Sequence, residues 1–350
     1  MLSQLKTIAK PLVKRAIISS GLEAAALMSS IGIGKGARGR GAIFTLHHVR
    51  PRPNNAFQPN EILDITPEFL ETAIQTLRQQ GYRFIRLEDI ATQLAGPDTK
   101  PFACFTLDDG YRDNAEFAAP IFTRHDVPFT IFLTKGFIDI THSMWWETID
   151  AMLNKVDRLQ FDFGSGLETI AAVTNAQKLV AFNRIADLIN ASDEAQAVAR
   201  LDDAARKVGI DPLGITRRLT MREDELRALA ENPLVSYGAH TVSHRGLARL
   251  SVQEAEREIA ESVTRVLDIC GTAPKSFAYP YGDARSVSQR ERGIIQSLGI
   301  DIAVTTRPGT LLAKHALDAT ATPRISLNGN YQAARYVRAL ASGLPFKLMG

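Results

Sequence analysis

The chain has 350 residues, of which 45% are hydrophobic, and its formal net charge is +3. This length suits one large domain or two small ones. A net charge this small, with Lys and Arg scattered rather than clustered, argues against a nucleic-acid partner. The two cysteines, Cys104 and Cys270, are too few for a disulfide framework in so long a chain, and Cys104 is expected to be a buried small hydrophobe.

The N-terminal segment, residues 2–19, places apolar residues at helical spacing with basic residues between them. We expect an amphipathic helix that packs on the domain; contact with a membrane surface and a secretory signal are the alternatives. No segment reaches the ~20 apolar residues of a membrane span. Residues 1–41 are therefore interpreted as a helix and a loose linker, and the protein is expected to be cytoplasmic, with peripheral membrane association or export as alternatives.

Beyond the linker, segments typical of strands and helices alternate along the chain. Strands are predicted at residues 42–46, 82–87, 102–107, 128–133, 234–239, 276–279, 301–305 and 323–327. Helix-capping signals begin at Thr66, Thr220 and Ser251, and another helix is predicted over Asn114–His125. This order predicts an α/β fold with parallel strands, specifically a closed or nearly closed, distorted (β/α) barrel of about seven strands.

Residues 139–219 interrupt this alternation. They are predicted to form a helical insertion on the rim of the barrel, which then comprises residues 42–138 and 220–328, with 329–350 as a C-terminal tail or helix. Trp145 and Trp146 open the insertion. Such a pair either packs into a core or forms a stacking wall for a sugar ring.

Polar side chains follow several of the predicted strands. Asp108 and Asp109 come directly after the strand at 102–107, and adjacent carboxylates at the end of a core strand must be paired, solvated or bound to a cation. His240 and His244 follow the strand at 234–239, with a spacing that would place both imidazoles on one side of a helical turn. One carboxylate and two imidazoles suit a divalent metal with open positions, and a second carboxylate remains beside it.

Three motifs resemble those of the polysaccharide deacetylase family, whose catalytic region is called the NodB homology domain and forms carbohydrate esterase family 4. They are Thr106-Leu107-Asp108-Asp109-Gly110, His240-Thr241-Val242-Ser243-His244 and Ala278-Tyr279-Pro280-Tyr281-Gly282. Members of this family are metal-dependent enzymes that remove N-acetyl groups from chitin, peptidoglycan and similar polymers. The resemblance spans residues of about 42 to 328, apart from the insertion.

The resemblance implies a role for each matching residue. Asp108 would be the general base, and Asp109, His240 and His244 would hold a divalent metal, most simply zinc, with cobalt or another transition metal as alternatives. The backbone N–H of Tyr281 would help to polarise the substrate carbonyl. The implied reaction is the attack of metal-activated water on an acetamide, with an N-acetylated glycan as the substrate.

The chain departs from the family pattern at three motifs. The arginine that usually opens the third motif and steadies the base is replaced by Ala278, and we expect Arg324 to substitute for it. The tryptophan of the fourth motif does not occur near residues 301–305, and the histidine of the fifth motif, the usual general acid, has no clear counterpart.

The general acid is therefore sought elsewhere in the chain. The segment Thr45-Leu46-His47-His48-Val49 resembles one found in poly-N-acetylglucosamine deacetylases, where the acid histidine lies on the N-terminal side. His47 is the expected acid, because an imidazole can donate a proton near neutral pH. His315 and His48 are the alternatives.

Two other functions remain open. One is an amidohydrolase of the same fold that acts on a small non-sugar amide, although such relatives can lose the metal-binding residues that this chain keeps. The other is a glycan-binding protein whose catalysis has decayed, as the altered motifs would allow. Bound metal without acetate release would indicate the binding protein, and amine release from a non-sugar amide would indicate the amidohydrolase.

Overall fold

The computed structural model of the protein describes residues 18–28 and 35–349. The strands of these residues are β1 (Gly41–Leu46), β2 (His48–Val49), β3 (Asp64–Ile65), β4 (Arg83–Phe84), β5 (Phe102–Leu107), β6 (Phe129–Leu133), β7 (Arg158–Asp162), β8 (Leu167–Ala171), β9 (Val235–Ala239), β10 (Ser276–Ala278), β11 (Ile302–Pro308) and β12 (Thr322–Ser326).

The α-helices of the same residues are α1 (18–28), α2 (Pro67–Gln79), α3 (Ile90–Ala95), α4 (Ala119–Arg124), α5 (Lys135–Ile138), α6 (Trp145–Lys155), α7 (Asn175–Ala191), α8 (Glu194–Lys207), α9 (Pro212–Leu219), α10 (Glu223–Ala230), α11 (Val252–Cys270), α12 (Gln289–Ser297), α13 (Ala334–Ala341) and α14 (Leu344–Met349). The helix predicted over 114–125 is divided into a π-helical turn at Asn114–Ala118 and the α-helix α4.

Seven parallel strands form a closed barrel, as predicted. Their order is β1-β12-β11-β10-β9-β6-β5, and the pairing of β5 with β1 closes the ring. The strand predicted at 82–87 is wrong in length, since only Arg83–Phe84 pairs, with Phe102 and Ala103 of β5. From Phe105 onward β6 occupies that edge of β5, so no further backbone partners remain for β4.

The barrel strands are buried on both faces, which explains their nearly continuous apolar sequences. Every residue of β1, β5 and β6 is buried. Ile43, Cys104 and Phe132 belong to a cluster inside the barrel, whereas Phe44 and Phe105 pack in the cluster that the surrounding helices cover. Cys104 is thus a buried small hydrophobe, as expected.

The insertion has a hydrophobic core of its own. Buried residues of α6, α7 and α8, including Ile149, Ile185 and Leu201, pack with Leu159 and Phe161 of β7. The prediction of a largely helical insertion omits one element, because β7 and β8 form an antiparallel hairpin. The missed signal is the alternating segment 158–162 followed by two glycines that adopt positive φ at the turn, Gly164 and Gly166.

Residues 18–28 form the part of the predicted N-terminal helix that can be assessed; most of the segment 2–19 lies outside the described residues. Ala25 of α1 is buried against Ala339 and Leu344, and Glu23 pairs with Arg335. The C-terminal helices α13 and α14 therefore hold α1 against the barrel. Among the described residues, no helix combines the length and the hydropathy that a membrane crossing requires.

Candidate active site

The carboxyl ends of the barrel strands bring the predicted site residues together at one rim. Because the strands are parallel, residues that follow them share this rim. The site comprises His47 after β1, Asp108 and Asp109 after β5, His240 and His244 after β9, Tyr281 after β10, and Arg324 within β12. All of these side chains except those of His47, His244 and Tyr281 are almost fully buried.

Asp109, His240 and His244 form a compact group of side chains that could hold a metal ion. Their nearest ligand atoms all lie within 4.8 Å of one another. Oδ1 of Asp109 lies 3.7 Å from Nε2 of His240 and 3.4 Å from Nε2 of His244. Nδ1 of His240 donates a hydrogen bond to the carbonyl oxygen of Ala278 at 2.6 Å, which leaves the Nε2 lone pair directed to the group.

The electrostatics of this group fit a divalent cation. Burial and the adjacent carboxylate of Asp108 raise the pKa of Asp109 well above its usual value, and its Oδ1 finds no hydrogen-bond donor in the described residues. Burial lowers the pKa values of His240 and His244, so both imidazoles are neutral, the form that binds a metal. A cation would satisfy the orphaned oxygen and offset the repulsion between the carboxylates.

Arg324 holds the second carboxylate. Its Nη1 and Nη2 donate to Oδ1 and Oδ2 of Asp108, both at 2.7 Å, while its Nε donates to the carbonyl of Thr305 at 2.9 Å. Burial alone would raise the pKa of Asp108, but the guanidinium lowers it overall to well below its usual range. Asp108 therefore stays ionised, and Arg324 occupies the place beside it that Ala278 leaves vacant.

His47 lies at the more accessible side of the site. Its side chain is 25% exposed, and its Nε2 lies 3.9 Å from Oδ2 of Asp108. The side-chain amide of Asn114 donates to the carbonyl of His47 at 2.8 Å and fixes its backbone. Burial lowers the pKa of His47 to about 4, against the opposing effect of Asp108, so the imidazole is neutral at pH 7.

Neither alternative histidine forms an ion pair with Asp108 or Asp109 among the described residues. His48 is fully buried, and its Nδ1 bonds to Asp113. His315 is at the other end of the barrel, because the neighbouring Leu311 pairs with Gly41, where β1 begins. The structure therefore does not bring His315 to the rim at which Asp108 lies.

The loops that carry the site are strained. Of the residues that the structure describes, six other than glycine have positive φ, and four of them are Asp109, Thr241, His244 and Tyr281. The expectation that His240 and His244 share a helical turn is wrong: the residues between them form an irregular loop. Backbone reversals, rather than helical spacing, turn both imidazoles toward Asp109.

A carboxylate from α11 fixes this loop, and no sequence motif had indicated it. Glu258 is buried and accepts hydrogen bonds from the backbone N–H groups of Val242 and Ser243, both at 2.8 Å. It also accepts from the hydroxyl of Ser243 at 2.5 Å and pairs with Arg245. The available signal was an acidic residue on the apolar face of a long amphipathic helix, an uncommon position for an unpaired carboxylate.

The sequence model of the polysaccharide deacetylase family matches residues 207–303, a range that includes His240 and His244. Over this range the chain is similar to the polysaccharide deacetylase family. Asp108, Asp109 and Arg324 lie outside the matched range, so their place at the site rests on the fold. A search of curated proteins gave no match.

Several solved structures share the fold of this chain. The deacetylase PplD of Streptococcus pyogenes, in complex with acetate, superposes with a TM-score of 0.53 at 16% identity, over 83% of this chain and 92% of that one. IcaB from Ammonifex degensii gives a TM-score of 0.52 at 16% identity, over 87% and 97% of the two chains. BC0361, a polysaccharide deacetylase from Bacillus cereus, gives a TM-score of 0.53 at 15% identity, over 87% and 68% of the two chains.

Proposed function

We propose that the protein is a metal-dependent hydrolase that removes N-acetyl groups from a glycan containing N-acetylglucosamine. The observation that carries this proposal is the pairing of two differently held carboxylates. Asp109 faces His240 and His244 with an unpartnered oxygen, whereas Asp108 is bonded by Arg324. A cation-binding group beside an ionised, fixed carboxylate is what the hydrolysis of an unactivated amide requires.

Asp109, His240 and His244 are the residues that would hold the metal. A divalent ion bound there supplies Lewis acidity that activates water and polarises the acetamide carbonyl. The carbonyl of Ala278 and the carboxylate of Glu258 keep His240 and the His244 loop in position. The backbone N–H of Tyr281 is proposed to donate to the same substrate oxygen.

Asp108 is proposed to take the proton of the attacking water. Arg324 binds both carboxylate oxygens, so the side chain cannot rotate, and its charge keeps the group ionised over the physiological range. Arg324 thus orients the carboxylate of Asp108 but also makes it a weaker base, because it lowers the pKa. An ion held by Asp109, His240 and His244 would offset that weakness by making the water more acidic.

His47 is proposed to donate a proton to the departing amine. Because its imidazole is neutral at pH 7, it must gain a proton during the reaction, and Asp108, 3.9 Å from its Nε2, is the nearest source. The proton removed from water by Asp108 would thus pass to His47 and then to the sugar nitrogen. This route keeps the net charge of the site constant.

The test is acetate and free-amine release from N-acetylglucosamine oligomers by protein loaded with Zn²⁺ or Co²⁺. We expect stoichiometric release of both products, and Asp108→Asn should keep the metal while losing roughly 10²–10⁴-fold in kcat. Metal binding without release from any N-acetylated glycan would contradict the proposal and indicate a binding protein. Release from a non-sugar amide alone would indicate an amidohydrolase.

A further inference from the structure

The insertion contacts the candidate active site through a buried carboxylate, that of Glu194. This residue is the first of helix α8, directly after the N-cap Asp193, whose side chain accepts a hydrogen bond from the backbone N–H of Gln196 at 3.1 Å. An acidic residue in the first turn stabilises a helix through its dipole even when it is exposed to solvent, so this position does not require burial. Glu194 is nevertheless only 7% exposed, and a buried glutamate needs partners.

Among the residues that the structure describes, the donors to this carboxylate lie in two loops of the barrel rim. Oε1 accepts a hydrogen bond at 2.5 Å from the hydroxyl of Tyr281, which follows β10. Oε2 accepts one from the backbone N–H of Gly246 at 3.3 Å and lies 3.7 Å from Nη1 of Arg249, both in the segment after β9. A second residue of the insertion, Trp145, donates from Nε1 to the hydroxyl of Tyr281 at 3.0 Å. The insertion therefore holds the far end of the Tyr281 side chain with two hydrogen bonds.

The backbone of Tyr281 needs such support. Its φ is +59°, in the left-handed region, where a residue with a side chain costs about 1–3 kcal/mol and persists only when its surroundings hold it. Its ring also lies 5.3 Å from the ring of His244 and 5.6 Å from the guanidinium of Arg249. Because the ring and the hydroxyl are both held, the side chain limits how the backbone can turn. The direction of the Tyr281 N–H therefore depends on the contacts of its hydroxyl.

We propose that Glu194 is a positioning residue that holds the backbone N–H of Tyr281 in the direction of the substrate oxygen. A donor to a developing oxyanion is effective only when it is fixed in place before the reaction. A misplacement of about 1 Å can lower a rate by roughly 10²-fold. Through Glu194, the insertion completes a site whose proposed metal ligands, base and acid all belong to the barrel. The inference rests on the proposed function, since it names a further residue for the same reaction.

The experiment compares variants of the full-length protein loaded with Zn²⁺, on an N-acetylglucosamine oligomer and on an aryl acetate. Tyr281→Phe keeps the backbone N–H and removes only the hydroxyl. Glu194→Ala removes the carboxylate, and Glu194→Gln keeps one acceptor oxygen at the same reach. Asp203→Asn is the matched control on the same helix, because this carboxylate is 70% exposed and pairs with Arg206. Metal content and the midpoint of thermal unfolding are measured for each variant.

We expect Glu194→Ala and Tyr281→Phe to lower kcat by about tenfold or more on both substrates, with KM changed by less than about twofold. An oxyanion forms in both reactions, and only the transition state loses a contact. The double variant should lose no more than the larger single loss, since both changes break the same bond. Glu194→Gln should recover most of the rate, Asp203→Asn should match the wild type, and metal content should stay constant throughout.

Wild-type kcat in Tyr281→Phe, or losses that multiply in the double variant, would overturn the inference. A loss in Glu194→Ala that appears in KM or in metal content rather than in kcat would also overturn it. The expected pattern on the aryl acetate, without acetate release from any N-acetylated oligomer, would overturn the proposed function and leave the role of Glu194 intact.

Discussion

Arg324 offers the sharpest test of how the candidate base is held. We consider Arg324→Met, which keeps much of the side-chain volume and removes the charge. Asp108 would lose two charge-assisted hydrogen bonds of 2.7 Å and would remain buried, 3% exposed, without a counter-ion. Breaking one partner of a buried ion pair costs about 3–5 kcal/mol, a large part of a typical domain's stability of roughly 5–15 kcal/mol.

The same change should alter the pH dependence of activity. In the wild type, Arg324 holds the pKa of Asp108 well below its usual value, so the carboxylate protonates only in strong acid. Without the guanidinium, the effect of burial remains and raises that pKa, because desolvation favours the neutral form. The acid limb of kcat/KM for acetate release should therefore move to higher pH, with kcat lowered by roughly 10²-fold or more at neutral pH.

A double variant makes this prediction specific. Ala278 and Phe132 pack in the same cluster inside the barrel, and the guanidinium of Arg324 lies 5.8 Å from the centre of the Phe132 ring. Ala278→Arg combined with Arg324→Ala should therefore recover part of the lost activity, whereas Ala278→Arg alone should destabilise a filled interior. Wild-type kcat/KM and an unmoved acid limb in Arg324→Met would refute this account of Asp108.

Three further predictions address the histidines. His244→Ala removes one of three proposed metal ligands, so elemental analysis should find the metal content sharply reduced. His47→Ala should lower deacetylation of an N-acetyl sugar by roughly 10²-fold but affect an activated aryl acetate much less, because an alkoxide departs without a proton. Burial alone would lower the pKa of His48, but the carboxylates of Asp113 and Glu147 raise it from 6.5 to about 9. The folded state therefore loses up to roughly 3 kcal/mol of stability as the pH rises from about 6.5 to about 9. Urea titrations at several pH values should show this slope in the wild type and not in His48→Asn.

Each of these predictions has an outcome that contradicts it. Unchanged metal content in His244→Ala would remove this residue from the ligand set. Equal losses on the amide and the aryl ester in His47→Ala would point to a role in binding rather than proton donation. Identical pH slopes for the wild type and His48→Asn would show that the pair with Asp113 does not carry a charge.

The barrel was predictable because its strands are buried on both faces and appear as short apolar segments between helix-capping signals. The segment at 102–107 and the carboxylates that follow it needed no long-range information. The length of β4 was not predictable, because it depends on which neighbour occupies the edge of β5. The hairpin of β7 and β8 had a visible turn signal in Gly164 and Gly166 that the helical interpretation of the insertion overlooked.

The site was predictable where one short segment supplies the chemistry, as in Asp108-Asp109 and His240-His244. The role of Glu258 was not predictable, because it is an ordinary acidic residue of a helix until the fold places it beside the loop that carries His244. Arg324 was suggested only because an arginine was missing at position 278. Its bidentate contact with Asp108 depends on the pairing of β12 and β5 with the two edges of β1.

The hydrogen bond from Nδ1 of His240 to residue 278 is made to a backbone carbonyl. Any amino acid at this position presents the same oxygen, so the orientation of His240 does not depend on which side chain stands there. The filled interior limits the size of the side chain at position 278, but the bond to His240 does not. The counter-charge of Asp108 can therefore come from β12 without any change in the backbone carbonyl that orients His240.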